Sequence, residues 1–353
     1  MAERRTELLT VQALRAIAAL LVVAYHAVGH WGAHVRAEDA DAIWGNGAAG
    51  VDVFFVISGL VMVISASRLH GRPMAGWVFL RHRLTRIVPM YWIATTAKIL
   101  LVLALPALVA RTQLDGLYVA GSYLLLPVRD AAGDIRPVLP VGWTLTYEML
   151  FYLLVGLALT LRVQMLRVAV PALLAFSAVA VFAGPGWPQI AGFANTIVLE
   201  FLAGVLIGMA VQRDRLVPEA LGWVLLLGGF AALLFMPVVS GVLRPLTWGI
   251  PAAAIVLGAV GLEHRLARRL PRWLLAAGDA SYSTYLTHGF VVPLVGVIVL
   301  HTAMAPIPAL AVIVGVSLVM SAVVGQLSYV ILERPLIHLF RRRRAAPAVA
   351  VAG

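Results

Sequence analysis

Six side chains in this sequence combine reactive chemistry with a spacing that lets them act together. Arg15 and His26 lie in one apolar run, LRAIAALLVVAYH from Leu14 to His26. The eleven-residue step between them is close to three helical turns, so guanidinium and imidazole share a face about 16 Å apart along the axis. Asp52 follows in GVDVFFVISG, Gly50 to Gly59, and Glu148 in WTLTYEMLFY, Trp143 to Tyr152. Each carboxylate falls one or two turns inside its own apolar run. A carboxylate beside an imidazole fixes its tautomer and strengthens it as a general base, so Asp52 is the expected neighbour of His26. Arg83 and Arg86 share a helical face in the basic stretch FLRHRLTRIVPMYW, Phe79 to Trp92, and guanidinium pairs of this kind suit phosphate. Plainer readings stand beside these. Arg15 can snorkel to the interface, His26 can be a hydrogen-bonded interior histidine, and Asp52 can cap its helix. The arginine pair can set topology or touch anionic lipid. An aromatic belt explains Trp143 but not Glu148.

The segments that must position these groups are membrane spans. The 353 residues are 62% hydrophobic and 12% charged, against about 45–50% and 25% in soluble domains, and the mean hydropathy is +0.95. That composition excludes a water-soluble enzyme, a disordered chain and a cytosolic nucleic-acid binder. Apolar runs near 9–29, 49–66, 88–110, 142–161, 168–184, 193–212, 220–240, 244–262, 278–300 and 305–331 predict an all-α polytopic protein with about ten transmembrane helices. The first run is too long for a typical signal-peptide core, carries Arg15, and is expected to stay as a span.

Charge sets the orientation. Twenty arginines lie before span one, after each even-numbered span and in the tail, from Arg4 and Arg5 to Arg341–Arg344. The opposite loops hold five: Arg36, Arg111, Arg129, Arg136 and Arg244. This bias predicts both termini in the cytoplasm and a multi-pass protein of the cytoplasmic (inner) membrane. The organisation expected is a transmembrane domain over 8–336 and a basic cytoplasmic tail over 337–353.

Other charged groups at membrane depth are weaker candidates. Lys98 and Glu200 have the signs of a buried ion pair; His288 faces a cavity if its helix turns that way, and Asp279 suits a helix cap. With no cysteine in the chain, disulfides, thiolate metal sites and cysteine nucleophiles are excluded. No histidine pair within a span has ligand spacing, although His26 and His30 come close at the outer boundary, so no metal is expected.

The order of LRAIAALLVVAYH, GVDVFFVISG, RLTRIVPMYW, WTLTYEMLFY, SYSTYLTH (Ser281 to His288) and the late Glu333-Arg334-Pro335 resembles the membrane-bound acyltransferase 3 family over about residues 8 to 336. That family includes bacterial O-acetyltransferases of surface glycans and macrolide acyltransferases. The resemblance implies that Arg15 and His26 are a functional pair and that Arg83 and Arg86 form a cytoplasmic arginine motif. It implies an acyl-CoA donor, acetyl-CoA above all, and a carbohydrate or lipid-linked glycan acceptor beyond the bilayer. Some members carry an extra hydrolase-like domain outside the membrane. None is expected here, so transfer is expected in the membrane domain or with a separate partner. His26 then deprotonates the acceptor hydroxyl or carries the acyl group, with Asp52 and Glu148 as the accompanying carboxylates. Two other classes share the composition. A secondary transporter of a small polar or anionic solute usually shows repeats and broken paired helices, which this sequence lacks, and a scaffold has no use for three such groups at one depth.

Overall fold

The computed structural model describes residues 8–105, 114–184, 187–237, 241–302 and 304–342. Arg4, Arg5, Arg111, Arg343, Arg344 and the expected tail beyond residue 342 lie outside the described residues. No strand occurs among the described residues; ten long helices carry the fold, as the apolar runs predict. We label them α1 (Leu9–Val35), α2 (Gly50–Ser67), α3 (Ala75–Ala104), α4 (Trp143–Thr160), α5 (Met165–Phe182), α6 (Leu199–Gln212), α7 (Glu219–Phe235), α8 (Ile250–Gly261), α9 (Ser281–Leu300) and α10 (Pro306–Ser328). A bilayer forces this economy, because a helix satisfies every backbone N–H and C=O within its own segment. Counted with their helical extensions, eight segments are long and apolar enough to cross a membrane; those of α6 (Thr196–Gln212) and α7 (Glu219–Phe235) are shorter.

The ends depart from expectation in two places that matter. α3 begins at Ala75 rather than near 88, so Arg83 and Arg86 sit inside a 30-residue helix instead of ahead of one. α10 does not stop near 331. It continues through a π-helical turn, Tyr329–Glu333, into the helix Arg334–Arg342, which crosses the expected domain boundary at 336/337. A second π-helical turn, Pro245–Gly249, leads into α8. Such turns are rare and often lie at functional sites.

α1 is the central helix. It packs on α2, α9 and α10, and its residues join all three large apolar clusters of the interior. α2 lies against α6 at a contact that only glycine permits. A Cβ on Gly59 would stand 2.1 Å from the Phe201 carbonyl oxygen, and one on Gly204 1.9 Å from that of Val56. Close approach through small residues replaces the hydrophobic drive that lipid removes. Large exposed side chains such as Leu227, Phe235, Leu294, Ile298 and Val319 form the lipid-facing perimeter.

Candidate functional site

Three of the predicted groups converge. α1 contributes Arg15, and α3 contributes Arg83 and Arg86, one turn apart. Together with Val61 they line both of two cavities. One is a vestibule of about 1040 Å³ that also borders Arg68, Arg81, Arg334 and Glu333. The other is an inner cavity of about 120 Å³ walled by Phe54, Phe55, Met62, Leu145 and Tyr285, with Glu148 and Tyr152 as its polar edge. The three guanidiniums therefore stand at the neck between a large chamber that carries several charged side chains and a small, mostly apolar one.

Neighbouring side chains hold this neck in shape. Arg83 lies over the rings of Phe79 and Tyr152, 5.5 and 6.0 Å from their centroids, and donates to the Ser65 hydroxyl. Glu148 accepts from the Tyr152 hydroxyl and from Ser58 Oγ at 3.2 Å. Glu333, only 2% exposed, accepts from Ser283 Oγ at 2.6 Å; the π-helical turn ends on this residue. Two carboxylates against three guanidiniums leave a positive surplus, and forked N–H donors make such a surplus a site for phosphate or carboxylate.

His26 stands apart from this neck. Its Nδ1 lies 2.9 Å from the Val22 carbonyl oxygen. A carbonyl only accepts, so Nδ1 carries the hydrogen and Nε2 of the neutral ring carries the lone pair. The ring is accessible yet closely surrounded by protein, as for a group lining a recess within the bundle. Its ring neighbours are Tyr25, edge-on at 5.0 Å, and His288, at 4.9 Å. His288 in turn lies 5.7 Å from Tyr285, which borders the inner cavity. Through Tyr285, α9 links the histidine to the inner cavity, while His288 itself is buried against His26 and lines neither cavity.

Asp52 does not partner His26. Its two oxygens receive Nε and Nη2 of Arg244 at 3.0 and 2.7 Å, and the carboxylate is 0% exposed. A bidentate, charge-assisted pair is far stronger than a bond from neutral imidazole, and the turn Pro245–Gly249 delivers the guanidinium. Arg244 also lies 4.6 Å from the Trp248 ring centroid. Glu200, 2% exposed, adjoins Asp52. Neither of its oxygens has a hydrogen-bond partner among the described residues. The buried carboxylate expected to pair with Lys98 thus belongs to the Asp52–Arg244 cluster instead. Asp279 ends the short helix Arg272–Asp279 and accepts from Gln12 of α1, and the N-cap of α9 is Ala280. Among the described residues no histidine and carboxylate group could hold a metal ion.

Sequence reasoning missed Arg244 and Glu333 as members of these sites. Arg244 was counted among outer-loop charges, although its place immediately before Pro245 and an apolar run marks it as near the membrane. Glu333 was carried only by the resemblance of Glu333-Arg334-Pro335.

Comparison with known proteins agrees with the motif order. The profile of the acyltransferase domain family, Acyl_transf_3, matches residues 9–325. The chain is 35% identical over 316 residues to the exopolysaccharide production protein ExoZ of Rhizobium meliloti (strain 1021), covering 86% of this chain and 94% of that protein. No solved structure matches the chain.

Proposed function

The chain belongs to the acyltransferase 3 family and is a multi-pass membrane acyltransferase, and from that premise we propose a vectorial O-acyl transfer. The donor is cytoplasmic acyl-CoA, with acetyl as the acyl group. The acceptor is a hydroxyl of a carbohydrate or lipid-linked glycan on the outer side of the membrane. The name of the relative ties that protein to exopolysaccharide production, which supports a carbohydrate acceptor.

The observation that carries this reading is the neck formed by Arg15, Arg83 and Arg86 between the two cavities. A vestibule of about 1040 Å³ has room for a nucleotide, and its arginines suit the CoA phosphates. The inner cavity of about 120 Å³ suits the thioester end with a short acyl group, not a long fatty chain. Held at the neck, the donor extends its arm toward α9 and the outer half of α1. His26 presents Nε2 to an arriving hydroxyl, takes its proton and lets the oxygen attack the thioester carbon, or first carries the acyl group itself. Glu148 balances the arginines from its position beside Tyr152. Asp52 acts at one remove, by fixing Arg244 at the outer ends of α2 and α8.

The test is thioester consumption by the purified protein in lipid. Because the chain has no cysteine, a thiol-reactive dye reports released CoA without background from the protein. Acetyl-CoA should yield free CoA when glycan acceptor is present, and His26→Ala should lower the rate by about 10²–10⁴-fold. Solute uptake with no CoA release would replace the enzyme by a transporter.

A further inference from the structure

We propose that His288 is the proton partner of His26, so that the two imidazoles together hold the single proton taken from the acceptor hydroxyl. This rests on the reading of His26 as the base. The rings lie 4.9 Å apart at a 59° tilt. His288 is 0% exposed and its Nδ1 lies 2.6 Å from the Tyr285 carbonyl oxygen, which fixes the hydrogen on Nδ1 and the lone pair on Nε2. That Nε2 has no hydrogen-bond partner among the described residues. A buried polar atom without a partner is costly, and native proteins keep few of them. An apolar side chain would fill the same space without that cost.

His30, one turn along α1, also has an unpartnered Nε2, but its ring packs on Gly296 and His34; the remaining polar neighbours of His26 are committed elsewhere. The Tyr25 hydroxyl donates to Asp41 at 3.0 Å. The Tyr285 hydroxyl is bonded to the Val141 carbonyl and to Thr144, each at 3.0 Å. Asp52 is held by Arg244. Among these neighbours, the unoccupied lone pair beside His26 is that of His288. Its helix packs closely on its neighbours: a Cβ on Gly325 would stand 2.0 Å from Thr284 Oγ1, and one on Gly296 2.0 Å from the His30 ring.

The step balances within the transfer itself. The hydroxyl O–H bond breaks and an N–H bond forms at His26 Nε2. The oxygen attacks the thioester carbon, the C–S bond breaks, and CoA leaves as thiolate. The protonated His26 donates its Nε2–H to the His288 Nε2 lone pair, which stabilises the imidazolium, and the thiolate then takes that proton from His26 as thiol. Both imidazoles end neutral. His288 acts through His26 and is a positioning residue in this scheme.

The test compares His288→Gln with His288→Leu. Glutamine offers an acceptor oxygen near the place of Nε2; leucine fills the space with no lone pair. Acetate released by mild alkali from extracellular polysaccharide, in cells making each variant at matched abundance, reads the transfer. CoA release from acetyl-CoA by the same membranes reads the donor side, and CoA binding should stay unchanged. His288→Leu should fall about 10–100-fold and His288→Gln should stay within about tenfold of the native protein. A packing role predicts the reverse order, since an apolar residue suits a buried site better. Leucine as active as glutamine, with His26→Ala inactive, overturns the pair and leaves the base. Full activity of His26→Ala overturns the base itself. If His288→Leu fails to accumulate, His288→Asn, too short to reach the imidazole, takes its place, and full activity there overturns the pair.

Discussion

Replacing Asp52 by asparagine removes one negative charge from a site that water does not reach, and the cost should appear in stability before it appears in chemistry. The carboxylate is 0% exposed and makes two bonds to Arg244, at 3.0 and 2.7 Å. Breaking a buried pair by removing one partner costs about 3–5 kcal/mol, because the other charge stays behind uncompensated. Asparagine keeps the shape of the side chain and one oxygen that can accept from Arg244, which places Asp52→Asn at the lower end of that range. Arg244→Met should be worse, since it strands the buried Asp52 carboxylate without either of its two bonds. Adding Asp52→Asn to Arg244→Met should then recover part of the loss. The assay is thermal inactivation of the purified protein, followed by loss of monodisperse protein after heating. At roughly 2 °C per kcal/mol for a large chain, Asp52→Asn should lower the midpoint by about 5–10 °C. If Asp52→Asn keeps the native midpoint while transfer is abolished, the carboxylate serves the reaction directly and the argument from Arg244 fails.

Arg83→Ala and Arg86→Ala should each weaken CoA binding by about tenfold or more, from the loss of about 1.5–3 kcal/mol per charge-assisted contact; equilibrium binding to the purified protein checks this, and unchanged affinity assigns the pair to topology or lipid. A reporter fused at the C-terminus should read as cytoplasmic and one within residues 31–47 as external, as the arginine bias requires; an external C-terminus would put the arginine neck on the wrong side for CoA. Gly204→Leu should block the α2–α6 contact, where even a Cβ stands 1.9 Å from a carbonyl oxygen, and the protein should be lost from the membrane fraction.

The membrane spans were legible because a bilayer imposes one solution on every apolar run, and the run itself announces it. The shared face of Arg83 and Arg86 was legible from helical spacing; that Arg15 joins them while His26 lines neither cavity was not, because spacing within one helix says nothing of which helix lies opposite. The partners of the carboxylates were not legible either. Asp52 and Arg244 are 192 residues apart, and no local periodicity says which of several polar groups at one depth will meet. Depth alone suggested His26; the stronger charge won. Lys98 and Glu200 failed as a pair for the same reason. The π-helical turns that present Arg244 and Glu333 also leave no simple trace in hydrophobic periodicity.

The shortness of α6 and α7 has a consequence for the lipid around the protein. With the turn Thr196–Val198 ahead of it, α6 runs Thr196–Gln212, as long as α7, and at 1.5 Å per residue each spans about 26 Å, against a hydrocarbon thickness of about 30 Å. α7 turns Leu221, Val224, Leu227 and Phe235 outward, so lipid meets a wall several ångströms too low. The bilayer must pinch along that flank, at a cost of fractions of a kcal/mol per ångström of mismatch. α6, packed on α2, carries the same deformation to the helix that holds Asp52 and lines the inner cavity. The enzyme should turn over faster in short-chain bilayers than in long-chain ones.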